Sequence, residues 1–181
     1  MNLYLYGAGP AHKRTWLMVD LGVTFPGPAE PGVELILPDI RFIEEERDNL
    51  AGIVITHAHE DHFGAVMHLW PRLRAPVYAT PFTAALLRAK LIEEGMEGEI
   101  PIEEVPSRSK LDIGPFHVEL VDMAHSIPET NALLIKSDAG TVFHTSDCRI
   151  GPPVRLVGGT EAVWDGRFTV SITKNLAEET R

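Results

Sequence analysis

Cysteine is almost missing from this chain. Cys148 stands alone, and one thiol cannot close an intrachain disulfide, so a disulfide-stapled secreted scaffold is excluded. Long apolar runs are missing as well. No stretch approaches the roughly 20 residues that a membrane-spanning helix needs, and the N-terminus lacks the basic-then-apolar order of a signal peptide. No membrane partner is expected, and a cytoplasmic location is. Positive charge is scarce: 16 Lys and Arg face 26 Asp and Glu, a formal net charge of −10. That sign is wrong for a domain that grips nucleic acid by bulk electrostatics. Bound divalent metals and a few arginines at a cleft can still reverse it locally. Internal repeats and low-complexity segments are absent.

What is present suits one globular domain. The 181 residues are 44% apolar and 23% charged, enough for a sizeable core. NLYLYG and TWLMVDLG are β-prone runs joined by the turn-rich GAGPAHKR and read as a hairpin. The run 41-RFIEEERDNL-50 reads as a short acidic helix, and 51-AGIVIT-56 as a strand covered on both faces. HFGAVMHLW has helical spacing and is expected to end at Pro71. PVYA is a short strand. Thr80 is placed as an N-cap with Pro81 in the first turn of a helix reaching Gly95. Strand-like IPIEEV, a turn at 112-DIGPF-116, strand 117-HVELVDMAH-125 and a hairpin of NALLIKS and TVFHTSD follow. Beyond Ile150, GPPVRLVGG reads as loop, FTVSIT as a strand and NLAEETR as a short helical end. The class is α/β or α+β, with a helix-covered sheet.

The stretch 55-ITHAHEDHFGAV-66 carries the chemistry. Imidazole and carboxylate are good ligands for zinc and similar divalent ions. His57 and His59 share one side of an extended chain, and Asp61 and His62 fall where the next helix begins. A loop between strand and helix can therefore aim four ligands at one spot, and α/β sheets bind ligands at such carboxyl ends. His125 and Asp147 end two later strands. His12, His68, His117 and His144 read as packed or solvated side chains, and Cys148 as a small buried residue. The runs 44-EEERD-48 and 93-EEGMEGE-99 read as solvated helix faces.

HxHxDH behind a strand, with a later His and Asp, resembles the metallo-β-lactamase superfamily. MNLYLYG, VDLGVTFP, ELILPDIRFIEEERDNLAGIVITHAHEDHFGA, LWPRLRAPVYATPFTAALL and HSIPETNAL resemble the ribonuclease J branch, over Met1 to about Ile150. The resemblance implies an αββα sandwich and two divalent metal ions, zinc first, with manganese or magnesium as alternatives. It implies that His57, His59 and His125 hold one metal, that Asp61 and His62 hold the second, and that Asp147 bridges them. Asp61 and His62 would serve catalysis. Asp20 would support the site from behind, and Ser126 would orient substrate or a ligand. The implied activity is 5′-to-3′ exonuclease and endonuclease cleavage of RNA, in RNA processing and decay.

The chain departs from that pattern in three places. It starts at MNLYLYG, without the Gly-rich first strand. It has HTSDCR where the family reads like HTGDWK. It stops before the inserted β-CASP domain and before a returning segment that supplies a further histidine. The expectation is an incomplete sandwich over residues 1–150 and a divergent tail over 151–181. A second copy or a partner chain is then expected to cover an exposed sheet edge. Two alternatives stay open: another hydrolase of the superfamily (lactamase, thioesterase or lactonase), and a non-catalytic metal-binding fragment. Arg72, Arg74 and 107-SRSK-110 are the only local basic features near a plausible groove, and they read as solvated surface.

Overall fold

A computed structural model describes residues 1–149. Its first sheet contains β1 (Tyr4–Ala8), β2 (Thr15–Val19), β3 (Leu50–Val54), β4 (Val77–Ala79) and β5 (Ile102–Glu104), in that spatial order. Strand β1 is antiparallel to β2, and all later pairs are parallel. The parallel pairs need crossovers, which α1 (Arg41–Glu45), α2 (Glu60–Phe63), α3 (Val66–Leu73) and α4 (Pro81–Glu93) provide. The second sheet is an antiparallel meander of β6 (Lys110–Ile113), β7 (Phe116–Asp122), β8 (Asn131–Ser137) and β9 (Gly140–His144).

Strand alternation sorts the apolar residues into two cores. Leu17, Val19 and Val54 pack with Ile113, Phe116, Val118, Leu120, Leu133 and Ile135 between the sheets. Met18, Ile53 and Ile55 face the other way, onto Ile43, Phe63, Leu69, Leu73 and Leu87 from the helices. Strands β2 and β3 are thus buried on both faces, which explains their unbroken apolar runs. Among the described residues the layers are helix, sheet, sheet. The helices all lie on the first sheet, consistent with an αββα sandwich of which three layers are described.

The structure corrects the expected elements at three points. Pro71 does not end its helix; it lies inside α3, whose chain continues to Arg74 in a left-handed conformation (φ 54°). The helix is only eight residues long, and the proline falls in its last turn, where few backbone bonds depend on it. The segment ahead of DIGPF contains β6, a short edge strand whose inward residue Ile113 alone is buried. Cys148 is exposed rather than buried. The expectations for GPPVRLVGG, FTVSIT and NLAEETR lie outside the described residues. No described helix is long and apolar enough to cross a membrane.

Candidate metal centre

The ends of four strands meet at one rim of the sandwich. Asp20 follows β2, His57 follows β3, His125 follows β7 and Asp147 follows β9. Backbone bonds tie these loops together: Asp20 N–H donates to Val54 O at 2.9 Å, Asn131 N–H to Thr56 O at 3.1 Å, and Arg149 N–H to Ala124 O at 2.7 Å. His59 stands at the N-cap of α2 in extended conformation and leads directly into Asp61 and His62. The local sequence therefore brings its ligands to the rim by ending a strand and starting a helix within a few residues.

Two groups of ligand atoms result, His57–His59–His125 and His57–His62–Asp147, with all atoms of each group within 4.8 Å of one another. In the first, His59 Nδ1 lies 3.1 Å from His57 Nε2 and 3.0 Å from His125 Nε2. In the second, His62 Nε2 lies 3.5 Å from Asp147 Oδ2; Asp61, outside both groups, brings its Oδ2 to 3.6 Å from the same nitrogen. Ligands on a tetrahedral ion with bonds of about 2.0–2.1 Å stand about 3.3–3.4 Å apart, so these spacings suit a divalent metal. Asp147 Oδ2 is also 3.8 Å from His125 Nε2, which places this carboxylate between the groups.

Buried groups behind the ligands set their tautomers. Asp20 is fully buried, and its Oδ1 accepts the Thr56 N–H at 2.8 Å. Its Oδ2 accepts the Thr56 hydroxyl at 3.0 Å and faces His62 Nδ1 at 2.7 Å. An ionised carboxylate only accepts, so His62 Nδ1 carries the proton and Nε2 offers its lone pair to the rim. His57 is oriented the same way. Thr56 Oγ1 gives its proton to Asp20 and accepts one from Ser146 Oγ at 2.8 Å. His57 Nδ1, 3.0 Å away, is then the donor, and its Nε2 turns a lone pair toward His59 and the rim. Ser126 Oγ sits 3.4 Å from His59 Nε2, on the side away from the other histidines.

All eight sequence-predicted site residues meet at this rim. Sequence reasoning missed Thr56 and Asn2. Thr56 adjoins the motif and could have been suspected from its hydroxyl; Asn2 lies far away in sequence and carried no signal. Ser146 takes a left-handed backbone (φ 53°), a conformation that suits glycine, and its hydroxyl anchors the turn on Thr56. Asp147 therefore still reaches the site. The basic features point elsewhere: Arg72 pairs with Glu44, Arg108 with Asp122 at 2.6 Å and Lys110 with Glu119 at 3.2 Å.

Burial, and then the neighbouring His62, His59 and His125, push the His57 pKa down to about 2. Burial lowers His144 as well, with His62 opposing protonation and Asp20 favouring it. For His62, burial also opposes protonation, but the Asp20 hydrogen bond and the charges of Asp20, Asp61 and Asp147 outweigh it and raise the pKa. The signs fix a pH dependence for the metal-free protein. His57, His125 and His144 hold a proton less readily folded than unfolded, where they protonate near 6.5, so their stability is present above pH 6.5 and is lost as pH falls below it. His62 contributes oppositely: its stability is present below pH 6.5 and lost as pH rises through its folded pKa. Three lowered groups, with His125 lowered by burial and then by His59, against one raised group predict that urea midpoints of metal-free protein fall from pH 6.5 to 5, at about 1.4 kcal/mol per pH unit for each net proton. A flat or rising midpoint would contradict the neutral buried histidines.

Comparison with known proteins gives the family and the fold. A family model described as a β-lactamase superfamily domain matches residues 15–169. Ribonuclease J of Sinorhizobium meliloti is 56% identical over 150 residues, covering 83% of this chain and 27% of that protein. Ribonuclease J of Mycolicibacterium smegmatis is 44% identical over 154 residues, covering 81% of this chain and 27% of that protein. The chain thus spans about a quarter of the length of these relatives. Among solved structures, zinc-bound PqqB from Methylobacterium extorquens superposes with a TM-score of 0.56 at 14% identity, over 78% of this chain and 52% of that one. This last likeness shows the fold.

Proposed function

We propose that this chain, which belongs to the β-lactamase superfamily, is the metal-binding part of a ribonuclease J-like hydrolase of RNA phosphodiester bonds. The observation that carries the reading is the pair of ligand groups sharing His57, with Asp147 between them. His57, His59 and His125 would hold one divalent ion. His62, Asp61 and Asp147 would hold the other. Zinc fits the nitrogen-rich first group best, and manganese or magnesium suits the carboxylates of the second. Two such ions supply Lewis acidity at a phosphate oxygen and acidity to a water. The ribonuclease J name of the relatives supports RNA as the substrate, and the reading includes a cytoplasmic setting.

The chain's own residues have separable tasks. Asp20 holds His62, and Thr56 holds His57, so that both present Nε2 without rearrangement. Asp61 is half-exposed, and its Oδ2 opens toward His62 Nε2. That carboxylate can accept the proton of an attacking water and orient it in line with the leaving oxygen. Ser126 holds the far side of His59.

The test is cleavage of 5′-monophosphorylated RNA beside hydrolysis of nitrocefin, with zinc or manganese supplied. The expected result is RNA cleavage, slowed at least about a hundredfold by Asp61→Ala, with nitrocefin untouched. Nitrocefin hydrolysis with intact RNA would transfer the chain to another hydrolase class. Metal-loaded protein inert toward both would make it a binding fragment.

A further inference from the structure

Asn2 is locked against the second group of ligands. Its backbone N–H donates to Asp61 O at 2.7 Å, and its carbonyl accepts the Gly22 N–H at 2.9 Å. Its side-chain Nδ2 lies 3.0 Å from Asp61 Oδ2, 3.1 Å from Asp61 O and 2.9 Å from His62 Nε2. The Tyr4 hydroxyl donates to its Oδ1 at 3.1 Å. One carboxamide end thus stands against two atoms of a metal-type donor set.

The Nδ2 end cannot stay there with an ion bound. His62 Nδ1 already donates to Asp20, so its Nε2 lone pair faces the Asn2 N–H. An ion on that lone pair and an N–H pointing at it exclude each other. A carboxamide has two ends of nearly the same shape, and turning it over exchanges a donor for an acceptor. Oδ1 would then face Asp61 and His62, a crowding of lone pairs that only a cation relieves. Tyr4 tolerates the turn because a hydroxyl accepts as readily as it donates.

We infer that Asn2 is a ligand of the second metal, contributing its side-chain carbonyl oxygen beside His62, Asp61 and Asp147. This rests on the dinuclear reading above. Amide oxygen is a hard ligand, so it biases this position toward manganese or magnesium rather than zinc. The carboxamide also acts as a latch: donating to His62 Nε2 without metal, accepting the ion when one is present.

Calorimetric titration of metal-free protein with Mn²⁺ tests the assignment. The backbone bonds of Asn2 survive substitution, so Asn2→Ala is expected to fold. The wild-type chain is expected to bind in two steps. Asn2→Ala should weaken one step at least about tenfold and leave the other within twofold. Asn2→Asp, with oxygen at both ends, should restore the weakened step. Two wild-type steps that survive Asn2→Ala unchanged would overturn the assignment while leaving the dinuclear reading intact. Failure of Asn2→Asp to restore binding would also overturn it, because Asn2 would then act only as an N–H donor to Asp61. A wild-type chain with fewer than two steps would overturn the dinuclear reading and this assignment together.

Discussion

Asp20→Ala should unfold the metal-free protein far more easily and nearly abolish metal binding. Its carboxylate accepts the Thr56 N–H, the Thr56 hydroxyl and the His62 ring N–H in a fully buried setting. Removing the acceptor strands three donors away from water, at about 1–3 kcal/mol each. Asp20 also takes a left-handed backbone (φ 61°), which Asp tolerates better than Ala. A combined loss of roughly 4–6 kcal/mol is expected from these terms. His62 would no longer be fixed with Nε2 toward the rim, so metal affinity should fall about a hundredfold. Chemical denaturation and metal titration of the same variant check both numbers. Asp20→Asn refines the argument, since it keeps one acceptor oxygen and the backbone tolerance but points an N–H₂ at donors. It should lose nearly as much metal affinity with a smaller loss of stability. A variant that binds metal as wild type would show that Asp20 does not orient His62.

Gly22→Ala should be the most damaging glycine substitution among the described residues. A Cβ at Gly22 would lie 1.8 Å from Asp61 O, 2.0 Å from Asp61 C and 2.5 Å from His62 N. These are backbone atoms and cannot swing aside. Hydrogen bonds from Leu21 N–H to His62 O (2.7 Å), Val23 N–H to Glu60 O (3.0 Å) and Ala65 N–H to Leu21 O (3.0 Å) hold the two segments at this distance. Opening that seam moves Asp61 and His62 away from the other ligands. The expected cost is about 3 kcal/mol or more, read as a fall of roughly 6–12 °C in Tm, together with loss of one metal. A Tm change under about 2 °C would show that the seam yields and that the close approach is not required.

Much of this was legible in the sequence, for identifiable reasons. The ligands sit in one dense cluster plus two strand ends, and strand ends converge at a sheet rim. Leu17, Val19 and Val54 alternate with Met18, Ile53 and Ile55, so the double burial of β2 and β3 was written in period two. Three things were not legible. Helix α3 carries Pro71 because the proline falls in its last turn and the packing of Met67, Leu69 and Leu73 outweighs one lost bond, which local propensity does not foresee. Strand β6 is a short edge whose outward residues Lys110 and Asp112 are exposed, so its pattern looks like loop. Asn2 reaches the site only through the fold: the pairing of the chain start with the Asp61 backbone is a contact across 59 positions.

The most direct measurement is metal content of the purified chain by elemental mass spectrometry, beside an Asp61→Ala, His62→Ala variant. The account predicts about two divalent metals per chain, falling to about one in the variant while His57, His59 and His125 keep theirs. One metal or none in the unaltered chain, or the same content in both proteins, would contradict a dinuclear centre built from these residues.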